Sequence, residues 1–479
     1  MKLEKKYGLP MAIAMVIGIV IGSGVFFKAQ TILQKTDGNM PLGIIAWIIG
    51  GLIMIICAYC LAVLGTRYDK INGLVDYAEA TLGEKYAYMV GWFMTMIYTP
   101  CLTSVLAWLS ARYTLAVFLP DTAESFTSGR CLCLACLYLV ADYALNALAP
   151  VIAGKVQVST TVIKLIPLGL MAVVGTIYGL VVTPAGASAP LLIENFNTAN
   201  GNWTELFGAV VATAFAYEGW IIATTINAEL KDAKKNLPKA LIIGTIIVML
   251  VYIAYYVGVA GGATVDILIN DGATQAFKNI FGNVGGSILN VFIAVSCLGT
   301  LNGLMVGCTR NLYSIAARKR GPKHEVFAQV DEKTNMPNNS AVIAVLLSAL
   351  WLFYFFIANL DNLLVGTYSA DTANAIIRTL GTLSEDGLTY TVGWFCFDSS
   401  ELAIITLYAL YIPIFIKMFS FKDLSVFKRV IMPTLAIISS VFMMFAAVYA
   451  HRWGVLYYLI IMAIIMAIGV AFMNNKEAE

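Results

Sequence analysis

Apolar residues in this chain do not alternate with polar ones at a helical or strand period; they run on for about twenty positions at a time, as over 42–64, 240–261 and 430–448. Roughly 20 apolar residues in helical form cross the hydrocarbon of a bilayer, and a helix closes its main-chain hydrogen bonds on itself there. Reading such runs against loop signals predicts twelve spanning helices. The first six lie near 9–34, 42–66, 84–118, 129–148, 152–182 and 205–229. The second six lie near 239–261, 284–314, 338–358, 400–419, 428–448 and 453–473.

Two of these spans carry residues that unwind a helix. The first holds Ile21-Gly22-Ser23-Gly24-Val25 and the sixth holds Ala216-Tyr217-Glu218-Gly219-Trp220. Because the breaks stand five spans apart, the second half enters from the opposite face, the inverted-repeat design of many secondary transporters. The predicted organisation is therefore a first repeat over 1–182, a second over 183–420, and two appended spans with the C-terminus over 421–479. Within the second repeat, 359–400 is the longest poorly apolar stretch and reads as an extracellular loop.

Composition agrees with lipid as solvent: 60% of the 479 residues are hydrophobic and 12% charged, against about 25% charged in soluble domains. The net charge of +2 points to no nucleic-acid or acidic partner. Position says more than total. With a cytoplasmic N-terminus, 22 of the 30 Lys and Arg fall inside, five outside (Lys35, Arg130, Lys278, Arg378, Arg452) and three within spans (Lys28, Arg112, Lys164). Short loops rich in cations mark the cytoplasmic side, so both termini are predicted cytoplasmic, in a plasma or inner membrane. The basic start and the run Met11 to Ile21 imitate a secretory signal, but no small-residue cleavage site follows and the apolar character continues through Val25 and Phe27.

The nine cysteines fall mostly inside spans, where Cys packs as a small apolar residue. The one cluster, Cys131, Cys133 and Cys136, is spread around a helix with no histidine near, so neither a metal nor any other cofactor is expected.

Which chemistry could the breaks carry? A transported amino acid is a zwitterion, and unpaired charge is penalised at the midplane. Free N–H groups at a half-helix N-terminus attract an anion, and free carbonyls at a C-terminus attract a cation. Gly22, Ser23 and Gly24, flanked by Ile21 and Val25, are thus candidates for a carboxylate site; the alternative is close helix packing. Phe215, Ala216 and Tyr217 offer carbonyls for an ammonium, with Phe215 as an aromatic gate and Tyr217 and Trp220 shaping a side-chain pocket; core packing is the alternative for each ring. Glu218, an acid near the bilayer centre, has three readings: proton coupling or gating, contact with a cationic substrate, or a buried structural acid. Lys164 lies too deep in span 5 to snorkel; its ammonium either stands where a metal cation would or is a structural counter-charge. Arg112 and Lys28, nearer the outer ends, are expected to snorkel.

At these residues the chain resembles the amino acid-polyamine-organocation superfamily, in its L-type branch with the bacterial serine/threonine and alanine/serine/cysteine exchangers. The motifs are IGSGVF at 21–26, LGT at 64–66, GKVQVSTTVIKLIPL at 154–168, FAYEGW at 215–220 and the run from Glu229 to Pro238 and Lys239. LNG at 301–303, Thr309-Arg310 and Tyr313 complete the set, and the match is best over spans 1 to 8. The resemblance implies an all-α membrane protein with a LeuT-like 5+5 inverted repeat, twelve helices, helices 1 and 6 broken. It implies sodium-independent exchange of small or medium neutral amino acids, with Lys164 where sodium sits in sodium-coupled relatives. It also assigns the carboxylate to Gly22, Ser23 and Gly24, the amine to Phe215 and Ala216, and the gate to Phe215.

The chain departs from the branch at Val63, where Glu is usual before LG, at Glu218, where Asp, Gly or Ser is common, and in a longer loop between spans 9 and 10. The loop over 120–128 has no cysteine, so the disulfide that ties animal members to an ancillary glycoprotein is missing and no such subunit is expected. Expected partners are amino acids and the bilayer. The competing transport reading is a proton-coupled symporter of an amino acid or polyamine with Glu218 as proton site. No catalytic cluster of an enzyme and no repeated filter of a channel is found.

Overall fold

The structure, a computed structural model, describes residues 8–68, 73–119, 129–197, 203–223, 230–332, 336–359, 365–370, 382–384, 387–393 and 397–473. In chain order, α1 (Leu9–Val20) and α2 (Gly24–Lys35) form a pair bent by 53°. They are followed by α3 (Met40–Arg67), α4 (Leu74–Leu82), α5 (Glu84–Phe118), α6 (Gly129–Leu148) and α7 (Ile152–Val181). Next come α8 (Leu191–Asn197), α9 (Leu206–Ala216), α10 (Trp220–Ala223) and α11 (Ala233–Ala260). The long α12 (Val265–Ala316) is interrupted at Gly272 and Gly282. The rest comprises α13 (His324–Phe327), α14 (Asn338–Asn359), α15 (Ser399–Met418), α16 (Phe427–His451) and α17 (Trp453–Met473).

Ten of these helices are long and apolar enough to cross a membrane, and the bent pair α1 and α2 makes eleven. The sixth predicted span corresponds to α9 and α10, shorter helices separated by Tyr217–Gly219; its remainder over 224–229 lies outside the described residues. The protein is a multi-pass membrane protein, and among the described residues its secondary structure is helical apart from one small sheet in the 359–400 stretch. There β1 (Val365–Ser369), β2 (Thr382–Leu383) and β3 (Thr389–Gly393) pair antiparallel in the order β1-β3-β2, with Val365 opposite Gly393 and Thr382 opposite Thr391.

The described chain divides into two compact units that interleave in sequence. The first comprises 1–91, 154–300 and 404–450. Its centre is α11, which packs on α3 and α1, with α9 against α2 and α3. Small residues let backbones approach where there is no hydrophobic force between helices in lipid. Gly175 and Gly179, four apart on α7, back directly onto Gly258 and Gly261 at the end of α11. Asn195 on α8 then closes that end. Its Nδ2 donates to the Ala260 and Ala263 carbonyls at 2.7 and 2.8 Å, and its Oδ1 accepts from Val265 N–H at 3.2 Å. Those groups are among the orphans that every helix end leaves.

The second unit comprises 92–153, 301–403 and 451–479, with α6 and α14 packed on the later part of α5 and on each other. Pro100 has no N–H to give the Met96 carbonyl, and α5 widens there into a π turn over Met94–Tyr98. The Trp351 indole of α14 donates to that carbonyl at 2.9 Å. Phe397 stacks on Tyr354 and meets Tyr458 edge-on. His451 Nε2 lies 3.0 Å from the buried Glu401 carboxylate, joining the ends of α16 and α15 that belong to this unit.

Candidate functional site

Both breaks lie in the first unit, and the structure brings them into contact. α1 ends because Ile21 turns extended (ψ 98°) while its N–H still bonds the Ile17 carbonyl. After Gly22 and Ser23, α2 restarts at Gly24, so Gly24 and Val25 present N–H groups without an intrahelical acceptor. A Cβ on Gly24 would stand 2.8 Å from the Ala216 Cα, which no side chain tolerates. Only glycine lets the two broken segments touch there. Ser23 is fully buried beside the Cys297 thiol, and its hydroxyl has no hydrogen bond of ordinary geometry among the described residues.

At the second break α9 stops at Ala216, and Gly219 adopts φ 107°, a backbone state closed to most side chains, against the Ile19 carbonyl of α1. Tyr217 N–H still bonds Thr213 O at 3.0 Å and Glu218 N–H reaches Phe215 O at 3.4 Å. The Ala216 carbonyl points instead at a residue the sequence did not flag. Tyr252 of α11, fully buried, directs its hydroxyl at the last carbonyls of both half-helices, Val20 O at 3.1 Å and Ala216 O at 2.9 Å. One proton is shared between two acceptors, and each carbonyl keeps a second lone pair for a substrate ammonium. Trp47 stands edge-on to Tyr252 and Tyr217, Tyr217 stacks on Tyr252 with centroids 5.2 Å apart, and the Tyr217 hydroxyl donates to the Trp47 carbonyl at 2.9 Å.

Lys164, 3% exposed, donates from Nζ to the Gly18 carbonyl at 2.8 Å, within the last turn of α1. The half-negative end of a helix is where a cation is held best. Thr161 lies one turn before Lys164 on the same face, its methyl against Gly18. Phe215 sits at the lip of the second break, its ring T-shaped to Phe27 at 5.3 Å.

Lys28 differs from the snorkelling expected of it. It is 4% exposed, with Nζ 5.4 Å from the Phe215 centroid and 5.6 Å from that of Phe27. Its stem packs inward from α2, and the aromatic faces hold the cation there. Glu218 is half-buried and lies within electrostatic reach of the Tyr408 and Tyr411 phenols of α15; Trp220 meets Tyr411 edge-on.

Ile21, Gly22, Ser23, Gly24, Val25, Phe215, Ala216 and Tyr217 therefore converge, with Lys164 one turn below and Glu218 turned toward α15. Such a place offers N–H groups from one half-helix, carbonyls from two others and an aromatic lip, which matches the two ends of a zwitterion. Among the described residues no group of three His, Cys, Asp or Glu side chains could hold a metal ion.

A profile of the family described as amino acid permease matches residues 7–471. The serine/threonine exchanger SteT of Bacillus subtilis is 30% identical over 364 residues, which cover 75% of this chain and 78% of that protein. The Asc-type amino acid transporter 1 of Mus musculus is 26% identical over 344 residues, 70% of this chain and 62% of that one. The large neutral amino acids transporter small subunit 2 of Homo sapiens is 27% identical over 336 residues, with the same coverage of 70% and 62%. The match thus spans less than two thirds of these mammalian relatives.

Proposed function

The chain belongs to the amino acid permease family, and from that premise we propose that it is a sodium-independent exchanger of small or medium neutral L-amino acids, working by alternating access around its two helix breaks. It is a transporter and not an enzyme. The observation that carries the reading is the Lys164 ammonium on the Gly18 carbonyl. A tethered cation supplies, at the end of α1, the positive charge that a bound sodium ion would bring, so the site needs no sodium to be electrostatically complete. The substrate carboxylate takes the N–H groups around Gly22, Ser23 and Gly24, and the ammonium takes the carbonyls of Val20 and Ala216 now shared by Tyr252. Phe215 closes over the bound molecule. The names of the relatives, a serine/threonine exchanger and a large neutral amino acids transporter subunit among them, support the neutral class.

Exchange needs a substrate on both faces. Radiolabelled serine, alanine and leucine uptake into proteoliposomes preloaded with unlabelled amino acid is expected to exceed uptake into empty ones, with or without sodium. Equal uptake in the two would sink the exchange reading.

The second reading is proton-coupled symport of an amino acid or polyamine with Glu218 as proton site; it draws on the place of Glu218 at the second break beside Tyr408 and Tyr411. A pH gradient alone then drives accumulation in empty vesicles, and Glu218→Gln removes it. The cation distribution supports cytoplasmic termini, and the five-span separation of the breaks supports repeats over 1–182 and 183–420. The absence of cysteine over 120–128, a segment outside the described residues, supports a chain that works without an ancillary glycoprotein.

A further inference from the structure

Besides Glu218, the acid that the sequence singled out, another carboxyl is buried within a predicted span. Asp142 lies on α6 in the second unit, on the stripe Cys131, Ala135, Leu139, Asp142 and Asn146 that the helix buries. The opposite face, with Leu137 and Val140, is exposed as a lipid-facing surface would be. Asp142 stands six residues before Leu148, so it is about 9 Å inside the helix end. Its side chain is too short to reach out over that distance.

The polar groups around it are spoken for. Asn146 Nδ2 donates to the main-chain carbonyl of Asp142 at 2.9 Å and to Asn302 Oδ1 at 2.8 Å. Asn302 Nδ2 in turn donates to the Ala153 carbonyl at 3.0 Å. The two amides therefore tie α6, α12 and the start of α7 together, and neither recorded bond of Asn146 goes to the Asp142 carboxyl. Asp142 is 9% exposed and its Oδ2 is buried without a hydrogen-bond partner among the described residues.

Nor does a charge among the described residues answer it. On α5, Arg112 lies over the Trp108 and Tyr113 rings; on α12, Arg310 is exposed and Cys308 pairs with Ser348; on α14, Tyr354 bonds Phe397. On α6 itself, Tyr138 pairs with Thr114. Among the described residues a carboxylate there has no ion-pair partner and no donor to Oδ2, while the neutral acid gives up far less on leaving water.

We propose that Asp142, set among Asn146 and Asn302, is a proton-binding site: the packed state holds the neutral acid, and the proton passes from Oδ2 to water only when this end of α6 opens during the transport cycle. Loss of the proton leaves a carboxylate that this packing cannot take back, so deprotonation stalls the cycle. The site is distinct from the breaks, and its transport readout rests on the exchange reading above.

The test has two arms on the full-length protein. Infrared difference spectroscopy in D2O, wild type minus Asp142→Asn, is expected to show the carbonyl band of a protonated carboxylic acid. Where the amide variant does not fold, Asp142→Glu shifts the band instead of removing it. A spectrum in which neither variant alters such a band overturns the proposal, whether or not the protein exchanges amino acids. In proteoliposomes, wild-type exchange falls about tenfold as both compartments are raised from roughly pH 6 to pH 9, and Asp142→Asn flattens that profile. A wild-type profile that is flat, or that persists in Asp142→Asn, overturns it as well, while Glu218→Gln tests the competing acid in parallel.

Discussion

At the level of single side chains, three contacts can each be disturbed by one variant. Lys164→Ala takes away the ammonium on the Gly18 carbonyl and leaves the end of α1 without its cation. Exchange is expected to drop by about tenfold or more, since a hydrogen bond to a charged group is worth about 1.5–3 kcal/mol. Initial rates in proteoliposomes with matched protein content check this, and an undiminished rate would show that Lys164 is only a counter-charge. Tyr252→Phe keeps the ring against Trp47 and Tyr217 but leaves the Val20 and Ala216 carbonyls without their shared proton. The fold is expected to lose about 1–2 kcal/mol and the apparent substrate affinity to change, read by thermal unfolding with and without substrate. Gly24→Ala drives a methyl into the Ala216 backbone and costs about 1–3 kcal/mol of strain, so transport should fail even where the protein still assembles. The glycines and Phe215 were legible because breaks leave a mark in an otherwise apolar run. Tyr252, Asp142 and Asn302 were not: when nearly every position of a span is apolar, no periodicity tells which face a polar residue occupies.

Among elements, the apolar runs gave the spans closely where lipid length alone sets them. The runs at 129–148 and 453–473 reproduce α6 and α17, and 84–118 proved to be one helix despite Pro100. Two kinds of element escaped. The start of α12 carries Asp266, Asp271, Gln275 and Lys278 and reads as loop, yet Gln30 and Gln34 of α2 donate to the Ile269 and Asn270 carbonyls and fix it from a distance. No local pattern reveals a support 235 residues away. The sheet in the 359–400 stretch is the other, a pairing of short strands that a search for apolar runs passes over. The π turn in α5 gives the prediction at this scale. Trp351→Phe leaves the Met96 carbonyl, freed by Pro100, without a donor in the protein interior. A loss of about 1–3 kcal/mol is expected in detergent unfolding, and Trp351→Phe unfolding at the wild-type midpoint would show that water or main chain replaces the indole.

For the whole molecule, the two units cut across the order of the chain, so that the sites of interest separate by unit: both breaks, Tyr252 and Lys164 in the first, Asp142, Asn302 and the Glu401 and His451 pair in the second. The chain enters or leaves a unit within α5, α7, α12, α15 and α16 rather than in loops. The cation distribution predicts cytoplasmic termini, so a fluorescent tag on either terminus is expected to report from the cytoplasm; extracellular protease removing either tag in intact cells would reverse the assignment. The sequence offered Lys164 either in the place of a metal cation or as a counter-charge, and the structure adds its partner, the Gly18 carbonyl in the last turn of α1. The most direct test counts both fluxes at once: proteoliposomes loaded with one isotope of serine and bathed in another, in sodium-free buffer, with influx and efflux followed in the same sample. The account predicts that each molecule entering is matched by one leaving and that added sodium changes neither flux. Influx that proceeds without efflux, or that appears only with sodium, would contradict it.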